Sequence, residues 1–296
     1  MEMVRTLVLG ASGRLGGMLR AFWGVRPAVL WQSRHAGMPG ALRFDPLDRA
    51  ALQQAARGAD TILCLAGVTP ARAAQGADLA KNSELARAAL RAGAETGARV
   101  LLASSAAVYG RGGDDGGHGN GAAPALDEDA PLAPQNAYGR AKAGMEGRAR
   151  DLAARLGVPL CLLRIGNVAG ADAILGGWRP GFLLDRLADG TTPRRSYIGP
   201  ATFAGVMAGL CGLDAERRGR PDLPQVLNIA APGAPEMGAL LAAAGLPFAL
   251  RPAPAGVIPR VELATGRLER LVPLAPDAGH PATLVREWRD WRRAAA

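Results

Sequence analysis

An apolar run of strand length, Val4-Arg5-Thr6-Leu7-Val8-Leu9, passes directly into Gly10-Ala11-Ser12-Gly13-Arg14-Leu15-Gly16 and then into a helix-compatible run from Met18 to Phe22. That junction restricts the fold more than any other stretch. A strand that turns straight into a helix opens a βα unit, and the next strand returns parallel to the first. Gly10 and Gly13 allow a tight turn and close backbone approach to a pyrophosphate, while Gly16 lets the helix pack near the strand. The helix N-terminus adds amide donors and a positive dipole end. Ser12, Arg14 and Leu15 lie in the same turn and are candidate contacts to such a ligand. The spacing is G-x-x-G-x-x-G, wider than the G-x-G-x-x-G of the commonest dinucleotide fold.

Further on, apolar runs of strand length alternate with longer Ala/Leu/Arg-rich segments, which predicts an α/β, doubly wound parallel sheet covered by helices. With 296 residues and 49% hydrophobic content the chain can bury a large core. Its formal net charge of +9 comes from arginines interleaved with Asp and Glu, not from one basic block. Small anionic ligands are therefore expected, and nucleic acid is not. Cys64, Cys161 and Cys211 sit inside apolar runs and read as core residues, with neither a disulfide framework nor a metal site. No run approaches a membrane span and no signal-peptide pattern precedes Val4, so a soluble, cytoplasmic protein without a membrane partner is expected.

The second strand, Ala28 to Trp31, ends in Gln32-Ser33-Arg34, and no acid occurs between Glu2 and Asp45. NAD sites usually place an Asp or Glu here for the ribose 2′-hydroxyl, whereas Ser33 and Arg34 suit a 2′-phosphate, so NADP is favoured over NAD. In Phe44-Asp45-Pro46-Leu47-Asp48, Asp48 reads as a helix cap, and Asp45 with Pro46 as the place of an adenine amino group. The buried-strand run from Thr61 ends in small residues, Leu65-Ala66-Gly67, which would let a cofactor cross the edge of the sheet. Ala77 to Ala94 supplies a crossover helix with Asn82, and Arg99 to Ala103 leads into Ser104-Ser105.

Tyr138 and Lys142 stand four residues apart in Asn136-Ala137-Tyr138-Gly139-Arg140-Ala141-Lys142, on one face of an incipient helix. An adjacent ammonium favours phenolate over phenol, so the Tyr138 pKa is expected to be lowered, fitting it for general acid/base work at a carbonyl or alcohol. The chain has only three tyrosines and two lysines, which makes the coincidence informative.

Together, Gly10-x-x-Gly13-x-x-Gly16, Leu65-Ala66-Gly67, Asn82, Ser104-Ser105-Ala106-Ala107-Val108-Tyr109-Gly110, Tyr138-x-x-x-Lys142 and Arg164-Ile165-Gly166-Asn167 resemble the extended short-chain dehydrogenase/reductase family, also called the NAD-dependent epimerase/dehydratase family. The resemblance covers most of residues 4–170. It implies that Ser105 polarises the substrate oxygen, that Tyr138 is the acid/base, and that Lys142 binds the nicotinamide ribose. It also places Ser104, Asn82 and Ile165 with the cofactor contacts, and Asn167 and Arg195 with the nucleotide phosphate or sugar of the substrate. Similar dehydratases carry Asp-Glu after the catalytic hydroxyl; Ala106-Ala107 here argues against 4,6-dehydration.

The resemblance further implies a Rossmann domain of residues 1–170 plus about 196–230, a smaller substrate-capping region of 171–195 and 231–296, and pairing into a homodimer. The glycine-rich stretch 111–125, with Asp114 and Asp115, reads as a mobile loop, either a lid or a passive insertion. Trp288 and Trp291 read as packing anchors. The expected function is NAD(P)-dependent oxidoreduction or epimerisation by hydride transfer at a carbinol or carbonyl carbon, with a nucleotide sugar as substrate. The alternative is a non-catalytic NAD(P)-binding redox sensor or scaffold of the same fold.

Overall fold

The computed structural model describes residues 4–110, 124–213 and 221–295. The stretch 111–123, which holds nearly all of the expected loop, lies outside them. In chain order the strands are β1 (Thr6–Leu9), β2 (Val29–Ser33), β3 (Ala41–Arg43), β4 (Thr61–Cys64), β5 (Arg99–Ser105), β6 (Leu160–Ile165), β7 (Asn167–Val168), β8 (Leu183–Arg186), β9 (Arg194–Arg195), β10 (Tyr197–Ile198), β11 (Val226–Ile229), β12 (Ala249–Pro252) and β13 (Arg260–Val261). The helices are α1 (Arg14–Trp23), α2 (Arg49–Ala56), α3 (Pro70–Ala73), α4 (Lys81–Thr96), α5 (Ala137–Leu156), α6 (Pro200–Cys211), α7 (Met237–Ala243), α8 (Gly266–Leu271) and α9 (Pro281–Ala294).

A seven-stranded sheet in the order β3-β2-β1-β4-β5-β6-β11 forms the centre, and every neighbouring pair in it is parallel. Strand order reverses between β1 and β4, and in open α/β sheets the ligand crevice lies at the carboxyl ends of the strands beside such a reversal. Successive residues of a strand point to opposite faces. Accordingly Val8, Leu63, Leu101 and Leu163 pack with α1 and α6, whereas Leu7, Ile62, Val100 and Leu162 pack with α2, α4 and α5. Both faces are thus covered by helices, which explains why these strands read as continuous apolar runs.

Three short parallel pairs lie outside this sheet: β7, just after β6, with β10, and, within the later chain, β8 with β12 and β9 with β13. Trp288 is buried and Trp291 packs beside it, both against Gly170, where a Cβ would stand 2.5 Å from Trp288 Cδ1. The three cysteines are buried. Among the described residues no helix is long and apolar enough to cross a membrane, and no His/Cys/Asp/Glu cluster is arranged to hold a metal ion.

Candidate active site

Gly10 has φ +88°, a conformation that side chains disfavour, and a Cβ on it would stand 2.7 Å from Ala66 N. The turn after β1 is therefore pressed against Leu65-Ala66-Gly67 at the end of β4. A Cβ on Gly16 would lie 2.5 Å from Gly10 O, so that glycine lets α1 start directly over the turn. Gly13 is the N-cap of α1; no side chain caps the helix there and its first turn carries no acid. Ser12, Gly13 and Arg14 are exposed and Leu15 is half-buried. Uncapped amides at a positive helix end, beside a backbone stripped of Cβ atoms, fit the pyrophosphate of a dinucleotide.

Beyond β2, Ser33 helps to shape the local turn: its hydroxyl is buried, accepts from His35 N at 3.0 Å and lies 3.2 Å from His35 O. Arg34 is exposed. Gln32, 1% exposed, is a latch: its Oε1 accepts from Gly10 N at 3.0 Å and its Nε2 donates to Phe44 O at 2.5 Å. Asp45 is exposed and its Oδ1 accepts from Leu47 N at 2.9 Å, with Pro46 buried beside it; Asp48 caps α2 through Ala51 N.

Asn82 is buried, its Oδ1 accepts from Val68 N at 3.0 Å, and its Nδ2 donates to Val68 O and Leu79 O at 3.3 and 3.2 Å. These bonds hold the loop after β4 against the start of α4. Gly67 packs beside it: a Cβ there would lie 2.7 Å from Asn82 Oδ1 and 3.7 Å from Lys142 Nζ.

Ser105 ends β5 and opens a 3₁₀ turn over Ala106–Val108, its Oγ accepting from Ala107 N at 3.2 Å. Across from it, Asn136 N-caps α5 by accepting from Gly139 N at 2.8 Å, which fixes Tyr138 in the first turn. The Tyr138 hydroxyl lies near Ser105, whose side chain acts to lower the tyrosine's pKa. Lys142, 5% exposed, donates from Nζ to Ala103 O at 2.8 Å. Ser105, Tyr138 and Lys142 are thus brought together where β5 ends.

The electrostatics differ from the sequence expectation. Burial raises the Tyr138 pKa in the protein by itself, and the Ser105 side chain only partly opposes this. Lys142 does not rescue it, because Nζ sits 6.0 Å from the ring centroid of Tyr138 and is turned towards the β5 backbone. Burial lowers Lys142 itself to about 8, against the opposing fields of Cys64 and Glu146.

The Ser104 hydroxyl donates to Glu146 Oε1 at 2.6 Å. Sequence reading missed Glu146, although Tyr138, Lys142 and Glu146 follow one another at intervals of four, a visible sign of one shared helix face.

On the substrate side, Ile165 is the register partner of Ser105 in the sheet. Two residues on, Asn167 N donates to Ser196 O at 3.0 Å, which brings half-buried Asn167 beside the segment carrying Arg195. The half-buried Arg195 guanidinium donates to Arg194 O at 2.7 Å and Pro259 O at 3.4 Å. Among the described residues it makes no ion pair, whereas its neighbour Arg194 is taken by Glu236. Burial lowers the Arg195 pKa, with the Tyr197 phenol opposing. A partly desolvated guanidinium without a carboxylate suits an anionic ligand group.

The chain resembles several known proteins. It is 32% identical over 189 residues to a UDP-glucose 4-epimerase of Azospirillum brasilense, and that match spans 57% of this chain and 50% of the relative's length. The UDP-glucose 4-epimerase of Bifidobacterium longum, solved with NAD+ and UDP, superposes with TM-score 0.72 at 18% identity, covering 99% of this chain and 100% of that one. The UDP-N-acetylglucosamine 4-epimerase of Methanobrevibacter ruminantium, solved with UDP-N-acetylmuramic acid, gives 0.75 at 17%, covering 100% of both chains. The dTDP-glucose 4,6-dehydratase DesIV of Streptomyces venezuelae, solved with NAD, gives 0.70 at 22%, covering 98% and 97%. At such identities the superpositions establish the fold alone. The family model described as NAD dependent epimerase/dehydratase family matches residues 6–180, more than half of the chain. The chain belongs to the NAD dependent epimerase/dehydratase family.

Proposed function

We propose that the protein is an NAD(P)-dependent oxidoreductase or epimerase that works by hydride transfer at a carbinol or carbonyl carbon of a nucleotide sugar. The observation that carries the reading is the convergence of Ser105, Tyr138 and Lys142 at the end of β5, beside a turn and helix end built for a pyrophosphate.

Gly10, Gly13, Gly16 and the amides of α1 would hold the dinucleotide phosphates, with Gly67 beneath the nicotinamide end. When bound, the dinucleotide supplies the acceptor and donor of hydride. Ser105 orients the substrate oxygen beside Tyr138. Tyr138 takes the proton from that oxygen when the carbinol is oxidised and returns it when the carbonyl is reduced. Lys142, held on Ala103 O, would bind the nicotinamide ribose. Arg195 and Asn167 take the nucleotide diphosphate and sugar. Ala106 and Ala107 offer no acid or base for water elimination, which sets this site apart from a 4,6-dehydratase.

Relatives that carry NAD in their structures support NAD, while the absence of an acid after β2 and the presence of Arg34 support NADP. Tyr138→Phe separates enzyme from sensor. It is expected to cost at least 10²-fold in turnover of UDP-sugars and to leave dinucleotide Kd within about twofold. Full turnover by this variant overturns the assignment.

A further inference from the structure

Beneath the reacting hydroxyls, α5 is fastened to the sheet on two successive turns. Lys142 Nζ donates to Ala103 O at 2.8 Å, and one turn on, Glu146 Oε1 accepts from Ser104 Oγ at 2.6 Å. Ala103 and Ser104 are consecutive in β5, so ammonium and carboxylate are tied to adjacent points of one strand.

The Glu146 side chain has no exposed surface, and it is held from three elements. Besides Ser104, Arg164 of β6 donates to it from Nε at 3.1 and 3.3 Å and from Nη2 at 2.8 Å, and Arg150 of α5 donates from Nη2 at 3.0 Å. Arg164 is the register partner of Ser104, and its Nη1 donates to the Tyr109 hydroxyl and to Glu128 O, each at 2.9 Å. The Tyr109 hydroxyl in turn donates to Asn228 Oδ1 at 2.7 Å. A buried ion pair is seldom better for stability than apolar residues of its own volume, so this one points to a role beyond holding the fold.

The titratable groups that bear on Lys142 come from each element packed around it: Cys64 at the end of β4, Tyr138 and Glu146 on α5, and Arg164 of β6 behind Glu146. Burial pushes the Cys64 thiol up to about 11, so it is neutral near neutral pH. Glu146 is then the one carboxylate, among the described residues, that acts on the ammonium.

We propose that Glu146 is a positioning residue that fixes the place of Lys142: it ties the helix turn below the ammonium to Ser104, next in β5 to the Ala103 carbonyl on which Lys142 is held, while Arg164 and Arg150 hold the carboxylate in place. The inference rests on the role given above to Lys142 and Tyr138, but its test does not require turnover.

The chain has two lysines, Lys81 and Lys142, so protein labelled with 13C at the lysine ε-carbon yields two resonances. Exposed Lys81 serves as the internal reference. In the wild-type protein Lys142 is expected to titrate at least one pH unit below Lys81. In Glu146→Gln its midpoint is expected to fall by a further half unit or more, with Lys81 unmoved. Ser104→Ala cuts the tie between β5 and the carboxylate with both charges kept, and carries the same measurement if the single variant does not fold.

An unchanged Lys142 midpoint in a folded variant overturns the proposal, even if turnover falls, because a merely structural role leaves the titration in place. Wild-type Lys142 titrating together with Lys81 overturns it as well. If the wild-type protein turns over no nucleotide sugar, the functional reading fails while the titration still decides this one.

Discussion

A Cβ on Gly139 would stand 2.4 Å from the carbonyl oxygen of Ala107. This contact sets how closely α5 meets the turn that follows Ser105, and hence the reach of Tyr138 to the Ser105 hydroxyl. Gly139→Ala must push the helix start and the turn apart. Overpacking of this kind costs about 1–3 kcal/mol of stability, and misplacing a reacting group by an ångström costs about 10²-fold in rate. The expected outcome is a lowered Tm with kcat reduced about 10²-fold; wild-type kcat in the folded variant refutes the geometric argument.

Lys142 also makes a prediction about stability. Its pKa in the folded protein is lowered to about 8 from an ordinary value of 10.5. Between these values the unfolded chain binds more protons than the folded one, so this group makes stability rise with pH across that window and contributes nothing to the slope below it. Lys142→Met is therefore expected to be more stable than wild type at pH 7, and to lose roughly 3 kcal/mol of that advantage between pH 8 and 10.5. Urea unfolding of both proteins at three pH values measures it; a constant difference contradicts it.

Ser33 and Arg34, adjacent in sequence, are expected to behave differently. Because the Ser33 hydroxyl is engaged with His35, Ser33→Ala should cost about 1 kcal/mol of stability without changing the ratio of NADP to NAD affinity. Exposed Arg34 is the side chain able to meet a 2′-phosphate, and a charge-assisted contact is worth about 1.5–3 kcal/mol. Arg34→Ala should accordingly weaken NADP binding roughly tenfold or more and leave NAD almost untouched, as read by fluorescence titration with each dinucleotide.

Arg195 has no carboxylate partner among the described residues, so its removal leaves no orphaned buried acid. Arg195→Met is expected to weaken UDP binding at least tenfold and to raise KM with a smaller effect on kcat, while Tm changes by no more than a few degrees. Calorimetric titration with UDP supplies the check. Unaltered UDP affinity removes Arg195 from the substrate site.

Local patterns in the chain announced the frame of the site. The glycines at intervals of three after an apolar run, and Tyr138 with Lys142 at an interval of four, are contacts between near neighbours, whose geometry follows from helix and turn periodicity alone. The alternation of apolar strands and helical segments likewise specified the parallel α/β fold, because both faces of such a sheet must be covered. What composition and spacing left open was the direction in which polar side chains are spent. Ser104 and Ser105 are indistinguishable as letters, yet in a strand they face opposite sides, one towards Glu146 and the other towards Tyr138.

Only the folded chain shows which backbone groups Asn82, Gln32 and Ser33 bond. The Tyr138 pKa was misjudged for the same reason: helical spacing counts the nearby ammonium but not burial, and in the interior burial is the larger effect. The pair Glu146 and Arg164, reaching on to Tyr109 and Asn228, joins residues as far as 119 positions apart. Sequence determined the sheet, the turn and the reactive face of α5; tertiary packing decided which polar groups are free to act and how strongly each holds its proton, because desolvation and long-range hydrogen bonding exist only once distant segments meet.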